Sequence, residues 1–454
     1  METILSAIEE KRALLEQTSD YIWDNAETAF TEHKSAAWLC DVLRKEGFTV
    51  EENLAGIKTA FSGRFGSGKP VIGILGEFDA LSGLSQVAGV AEQISAGGEA
   101  GHGCGHNLLG TGSLGAAIGV KAWLEATGKP GTVIYFGCPG EEGGSGKAFM
   151  ARDGVFDELD AALCWHPAEN NKALNKRWLG NYQVLYKFDG KASHAGGSPE
   201  KGRSALDAVE LMNIGVQFLR EHIPTSCRIH YAITDTGGFS PNVVQPHAEV
   251  LYLMRGVSNA IVADLYDRVN DIAKGAALMT GTTESHQFIK ACSNVIPNDA
   301  IQKMLHTKME QLPIPPITDE ELAFAKEMSQ VVPNGHPEHP LMDTLLPYEP
   351  ETQGFSSTDV GDVSWVCPTA QIFTACKAIN TPAHSWQETA QGKLPFALKS
   401  ALYAAKVLAA SAIELLNDPE AIEKAKEAHK KAVGPEGYKC PIPRGVRPRA
   451  INTI

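Results

Sequence analysis

The chain carries two hydrophobic rhythms. Apolar residues recur at helical spacing over residues 4–17, at Ile4, Ile8 and Leu15. They do so again over 34–46, where Gly47 ends the run. FTVEEN (48–53) and GIKTAFSGRF (56–65) read as short strands. PVIGILGEFDAL (70–81) opens on a continuous apolar run, as expected of a strand covered on both faces in a mainly parallel sheet. A helix of small residues is predicted over 107–128, a buried strand over 131–139, a helix over 146–156 and a strand over 160–167. Strands alternating with helices predict an α/β layer architecture.

The pattern changes near residue 180. NYQVLYKFDGK alternates like an antiparallel strand, and CRIHYAIT, HAEVLYLMRG and ESHQFIKAC repeat that alternation around helices over 204–223 and 261–281. Residues 181–296 are therefore expected to form an inserted α+β sandwich, dividing a first domain into 1–180 and 297–432. The α/β style returns with a strand over 369–378 and a long helix over 395–416. Residues 312–350, rich in Pro and charge, read as loop with one short helix. The tail 433–454 has no clear pattern and is expected either to wrap the surface or to stay mobile.

The composition of the 454 residues is that of an ordinary globular chain. With 54 acidic and 40 basic side chains the formal charge is −14, a field that repels nucleic acid and anionic membranes. No run of about 18 apolar residues predicts a membrane span. The N-terminus lacks the basic start of an export signal, so a cytoplasmic location is expected. Nine cysteines without framework spacing fit reduced thiols in that compartment.

Chemistry gathers where the predicted strands end. Asp79 follows VIGILGEF, Cys104 and His106 precede the small-residue helix, and Glu141 and Glu142 follow GTVIYFGCPG. His166 follows AALCW, and His384 follows TAQIFTACKA. Ligands of open α/β sheets bind at such carboxyl ends. Singly, each residue has a structural explanation: Asp79 as a cap, His166 as a hydrogen-bonded buried ring, the Glu pair as solvated surface. Jointly, thiolate, imidazole and carboxylate suit Zn²⁺ or a similar ion. Paired carboxylates allow one to bind metal while the other accepts a proton. A competing reading makes Cys104 a nucleophile with His106 as its base, but it leaves Glu141, Glu142, His166 and His384 without a role.

CGHN, PGEEGGSGK, WHP, GKASHAGGSPEKGRSALDA and PAHSW together resemble a known family, and the likeness runs from about residue 20 to residue 415. It is the family of dinuclear metal-dependent amidohydrolases and carboxypeptidases that includes aminoacylase, hippurate hydrolase, auxin-conjugate hydrolases and carboxypeptidase G. GEFDALSGLSQVAGVAEQ and STDVGDVSWV are most similar to its p-aminobenzoyl-glutamate hydrolase branch, which contains two related subunits.

The resemblance implies a mixed, mainly parallel sheet flanked by helices, with the inserted block as lid and dimerisation domain. It implies two divalent ions per subunit, Zn²⁺ or Mn²⁺ with Co²⁺ as a further candidate. Their ligands would be Cys104, His106, Glu142, His166 and His384, with Glu141 as general base and Asp79 orienting the ligands from behind. Asn107 stands where relatives carry CGHD, a departure that removes a charge behind the ligands. His194 would reach a twin's active site and hydrogen-bond the reacting carbonyl, while Asn242 and Arg255 grip the substrate. The implied substrate is an N-acyl amino acid: p-aminobenzoyl-glutamate-like, indole-acyl or dipeptide-like. A homodimer through the inserted block is expected, with a heteromer, even one in which this chain is a silent partner, as the alternative.

Overall fold

The computed structural model describes residues 2–450, without the side chains of residues 2–4; Ile4 and the end of the expected tail, 451–454, lie outside that description. A seven-stranded sheet forms the centre. Its spatial order is Thr49–Glu52, Phe61–Ser67, Gly131–Cys138, Val71–Glu77, Ala161–Ala168, Thr369–Ala375 and Lys172–Ala173. The four strands from Gly131–Cys138 to Thr369–Ala375 are parallel, and antiparallel strands close both edges. Every residue of Val71–Glu77 and Gly131–Cys138 is buried, which is why these strands read as unbroken apolar runs.

The helix His106–Thr127 lies on this sheet and fixes where the chemistry sits. Its glycines allow close approach. A Cβ at Gly110 would stand 2.8 Å from the Glu77 carbonyl oxygen, and one at Gly112 would stand 2.7 Å from Trp165 Cζ2. A methyl at Gly112 is thus overpacking, a cost of about 1–3 kcal/mol. Trp165 Nε1 donates to the Leu109 carbonyl at 3.0 Å and ties the strand Ala161–Ala168 to the same helix. These contacts hold the helix N-terminus, His106, beside two strand ends.

The single N-terminal helix expected over 4–17 is instead two, Glu2–Glu10 and Arg12–Asp24, broken at Lys11. Hydrophobic spacing does not register the break, because Ile8 and Leu15 both remain buried against the central helix, at Gly119 and Gly115. Pro395–Asn417 is long and apolar enough to cross a membrane, yet it is buried in the core beside His106–Thr127.

A second sheet, all antiparallel, runs Arg228–Asp235, His247–Gly256, Gly180–Asp189, Thr283–Cys292. Alternate residues of His247–Gly256 are buried, and the helices Ala205–Arg220 and Asn259–Thr280 share their core. Each helix is started by a serine, Ser204 or Ser258, whose hydroxyl accepts a backbone N–H three residues on. The described part of the tail packs on the surface: Tyr438 donates to Asp362 Oδ1 at 2.7 Å, and Ile442 is buried.

Candidate metal centre

Five side chains named from the sequence meet at the carboxyl edge of the parallel strands. Their ligand atoms form two groups, Cys104–His106–His166 and Cys104–Glu142–His384, each with all atoms within 4.8 Å of one another. The Cys104 sulfur belongs to both. Cys104 Sγ is 3.5 Å from His166 Nε2, and Glu142 Oε1 is 3.2 Å from His384 Nε2. Nitrogen and oxygen donors lie about 2.0–2.2 Å from Zn²⁺ and sulfur about 2.3 Å, so two donors on one tetrahedral ion stand roughly 3.3–3.6 Å apart. The donor set and its spacing fit a pair of divalent ions.

Each ligand atom is aimed by local structure. His106 Nδ1 donates to Asp79 Oδ1 at 2.9 Å, which turns Nε2 into the cluster, buried and without a hydrogen bond. Asp79 Oδ2 accepts the backbone N–H of Glu142 at 2.9 Å, so one carboxylate fixes two candidate ligands. His166 Nδ1 donates to the Pro167 carbonyl at 2.8 Å, leaving Nε2 toward the sulfur. His384 sits at φ +56°, with its backbone N–H on the Gly103 carbonyl at 3.0 Å, so the late loop is tied to the CGHN turn. That turn uses Gly105 at φ +71° as the cap of the central helix.

The electrostatics suit cations. Burial, with the charge of His106, pushes His166 down to about 3, which keeps its ring neutral and its lone pair available. Burial alone would raise Glu142, but the His384 hydrogen bond and the His106 charge outweigh it and hold the carboxyl at about 2. Burial would lower His106, but the charges of Cys104 and Asp79 hold it well above the ordinary histidine range, so its surroundings demand positive charge at Nε2. Burial, then Glu142, pushes the Cys104 thiol well up. Such a thiol is a poor free nucleophile and becomes a thiolate when a cation binds it.

Glu141 stands beside the ligands, its carboxylate within 4.8 Å of ligand atoms of His106 and Glu77. Burial, then the charges of Glu77 and Glu142, pushes it well above the usual carboxylate range. Gly140, just before it, donates to Glu32 Oε1 at 2.8 Å, and the Phe30 ring packs where a Cβ on Gly140 or Gly144 would fall.

The remaining sites are placed differently. Asn107 donates to Ser19 Oγ at 3.0 Å and to the Gly392 carbonyl at 2.9 Å. Its hydrogen bonds join the central helix to its neighbours and reach none of the five ligands. His194 and Asn242 lie on adjacent antiparallel segments, joined by the Ala195 N–H on the Asn242 carbonyl at 2.9 Å. His194 is exposed, and its Nδ1 accepts from the backbone of Gly196 and Gly197. Arg255, half-buried, donates to Ser357 Oγ at 2.8 Å. No described hydrogen bond or ion pair links His194, Asn242 or Arg255 to the metal cluster within one chain.

Sequence reading did not single out Glu77, Lys147 and Asp359, which form a buried charged group against the cluster. Signals were present: Glu77 shares the strand exit of Asp79, and Lys147 follows the Glu pair by five residues. Burial alone would lower Lys147, but Asp359 and Glu77 hold it well above the ordinary lysine range.

A sequence-family model described as peptidase family M20/M25/M40 matches residues 74–447. The chain is 47% identical to one of the p-aminobenzoyl-glutamate hydrolase subunits of Escherichia coli, over 98% of each chain. It is 28% identical to a Xaa-Arg dipeptidase of Mus musculus, over 93% of this chain and 90% of that one. The fold is similar to that of a Bacillus subtilis dinuclear metal-binding peptidase from the M20 family, with a TM-score of 0.56 and 14% identity over 89% of this chain and 99% of that one.

Proposed function

This chain belongs to peptidase family M20/M25/M40, and from that premise we propose that it is a metal-dependent amidohydrolase that releases an α-amino acid from an N-acyl or N-aroyl amino acid. Its substrate class is p-aminobenzoyl-glutamate and its chemical neighbours, indole-acyl amino acids and dipeptide-like amides. The observation that carries this reading is the meeting of two donor groups on one cysteine sulfur, with Glu141 beside them.

Cys104, His106, His166, Glu142 and His384 would hold two divalent ions, with Cys104 shared. Zn²⁺ and Mn²⁺ are the proposed ions, and Co²⁺ a substitute. Such ions supply Lewis acidity, which polarises a carbonyl and acidifies water. Glu141 takes the proton of the attacking water and passes it to the departing nitrogen. Asp79 keeps His106 in one tautomer throughout.

His194 and Arg255 handle the substrate. The backbone N–H groups of Gly196 and Gly197 occupy His194 Nδ1, so in the neutral ring Nε2 carries the hydrogen and points a donor outward. Serving a twin's carbonyl oxygen, that donor stabilises the developing negative charge, an effect of about 3–4 kcal/mol in comparable donors. Arg255 makes no ion pair among the described residues and gives one donor to Ser357, so the rest of its guanidinium is available for a grip on the amino acid's carboxylate. Asn242 lies beside His194 and assists in that grip.

The inserted block, 181–296, serves as lid and dimerisation domain. Arg228–Asp235 is an exposed edge of the second sheet, with Tyr231 and Ile233 partly exposed, and the helix Ala205–Arg220 exposes Leu211, Ile214 and Phe218. An open edge beside exposed apolar side chains favours pairing with a second copy of this chain. The E. coli relative is by name a subunit of a hydrolase that has a second, related one, which makes such a related chain the alternative occupant. Nine unpaired thiols support a reducing, cytoplasmic location.

The test is a release assay over a panel of N-acyl and N-aroyl amino acids, read by liberated amine, with Zn²⁺, Mn²⁺ and Co²⁺ supplied in turn to chelator-treated protein. Metal-restored turnover supports the reading. Turnover that survives metal removal and disappears with a thiol reagent would instead make Cys104 the nucleophile.

A further inference from the structure

We propose that Glu77 is a further donor to the ion that His106 holds, an assignment that rests on the metal-dependent reading above. Glu77 ends the strand Val71–Glu77 and is buried, and its two oxygens face different ways. Oε1 is 2.8 Å from Lys147 Nζ, which is itself fully buried. Asp359 fixes Lys147 twice: Oδ1 is 2.6 Å from Nζ, and Oδ2 accepts the backbone N–H at 2.8 Å. Oε2 of Glu77 lies 3.3 Å from His106 Nε2.

That nitrogen is the informative atom. It is fully buried and makes no hydrogen bond, while its ring partner Nδ1 is committed to Asp79. Glu142 Oε1 stands 3.9 Å away, so carboxylate oxygens from two elements face one unpartnered imidazole nitrogen. Ligand atoms of Glu77, His106 and Glu141 lie within 4.8 Å of one another. Two nitrogen or oxygen donors, each about 2.0–2.2 Å from one ion, stand roughly 3.0–3.5 Å apart at the usual coordination angles. The observed 3.3 Å falls in that interval.

The ion pair with Lys147 accounts for Oε1, while Oε2 faces His106 Nε2 without a hydrogen bond between them. With Glu77 as donor, both oxygens have a function, and Lys147 becomes a positioning residue. It offsets part of the negative charge and fixes the carboxylate's rotation, so that Oε2 meets the ion without reorganisation.

The experiment is metal analysis of the full chain, purified with Zn²⁺ or Mn²⁺ and titrated with a competing chelator. Wild type is expected to hold two ions. Glu77→Asp keeps a charge for Lys147 but withdraws the donor oxygen, and it should weaken one ion about 10–100-fold while the other is retained. Wild-type affinity for both ions in Glu77→Asp overturns the assignment. If the variant does not fold, anomalous scattering at the zinc edge from wild-type crystals decides. A peak about 2.0–2.2 Å from Glu77 Oε2 supports the proposal, and peaks all beyond about 3 Å overturn it. Wild-type protein that binds no divalent ion would refute the metal-dependent reading itself, a different result from two ions that ignore Glu77.

Discussion

Asp79 and His106 are joined by a buried 2.9 Å hydrogen bond, Nδ1 to Oδ1, that decides which imidazole nitrogen faces the candidate metal centre. The same carboxylate receives the Glu142 backbone N–H through its other oxygen. An amide accepts through one oxygen only, so Asp79→Asn must set its NH₂ against one of these donors. Its metal affinity is expected to fall about 10–100-fold in chelator competition. Unchanged affinity would show that the pair does not orient the ligand.

Glu141 is assigned the proton transfers. Glu141→Gln should keep both ions and bind substrate with little change in KM, while kcat falls about 10²–10⁴-fold. A kcat close to wild type would give the role to another group.

Arg255 is assigned the substrate carboxylate. A charge-assisted hydrogen bond contributes about 1.5–3 kcal/mol, so Arg255→Ala should raise KM for free-carboxylate substrates roughly 10–100-fold. Amino acid esters should be much less affected. An equal loss on both substrate types would remove the proposed grip.

Glu32, which accepts the Gly140 N–H and feels the charge of Asp79, gives a pH signature. Its carboxyl is pushed up to about 8, by burial first and by the charge of Asp79 second, from 4.5. The folded protein binds this proton more tightly than the unfolded chain. The resulting stabilisation is complete below about pH 4.5 and is lost as the pH rises through about 8. Glu32→Gln keeps an oxygen for the N–H groups of Phe30 and Gly140 and turns its amide toward Thr59. The expected outcome is a Tm that falls less between pH 5 and 8 than that of wild type, on the order of this single titration. Parallel slopes would assign the pH dependence to other groups.

Phe218 tests the assembly. It is 72% exposed on a helix beside an open sheet edge. Phe218→Glu should shift the protein to a smaller species in light scattering and, if His194 serves a twin, lower activity with it. A wild-type protein that is already monomeric at assay concentration would exclude the twin.

Sequence alone determined the layer plan and the candidate ligand types. Strands covered on both faces must be apolar throughout, and a sheet with one covered face must alternate, so 70–81 and 247–256 were legible as two kinds of strand. Cys104, His106, Glu141, Glu142, His166 and His384 were legible because each follows a strand exit or opens a helix. The helices Asp299–Gln311 and Pro419–Val433 escaped because most of their positions are polar, although Asn298 and Asp418 cap them and Ile301, Leu305 and Met309, then Ile422 and Ala425, recur at helical spacing. Tertiary structure alone decided that Asn107 faces Ser19 and Gly392, that Asp79 binds both His106 and the Glu142 backbone, and that Lys147 holds Glu77 against His106. Periodicity reports which face of an element is buried. Which buried polar groups meet depends on how separate elements pack, and Glu77, Lys147 and Asp359 come from three of them.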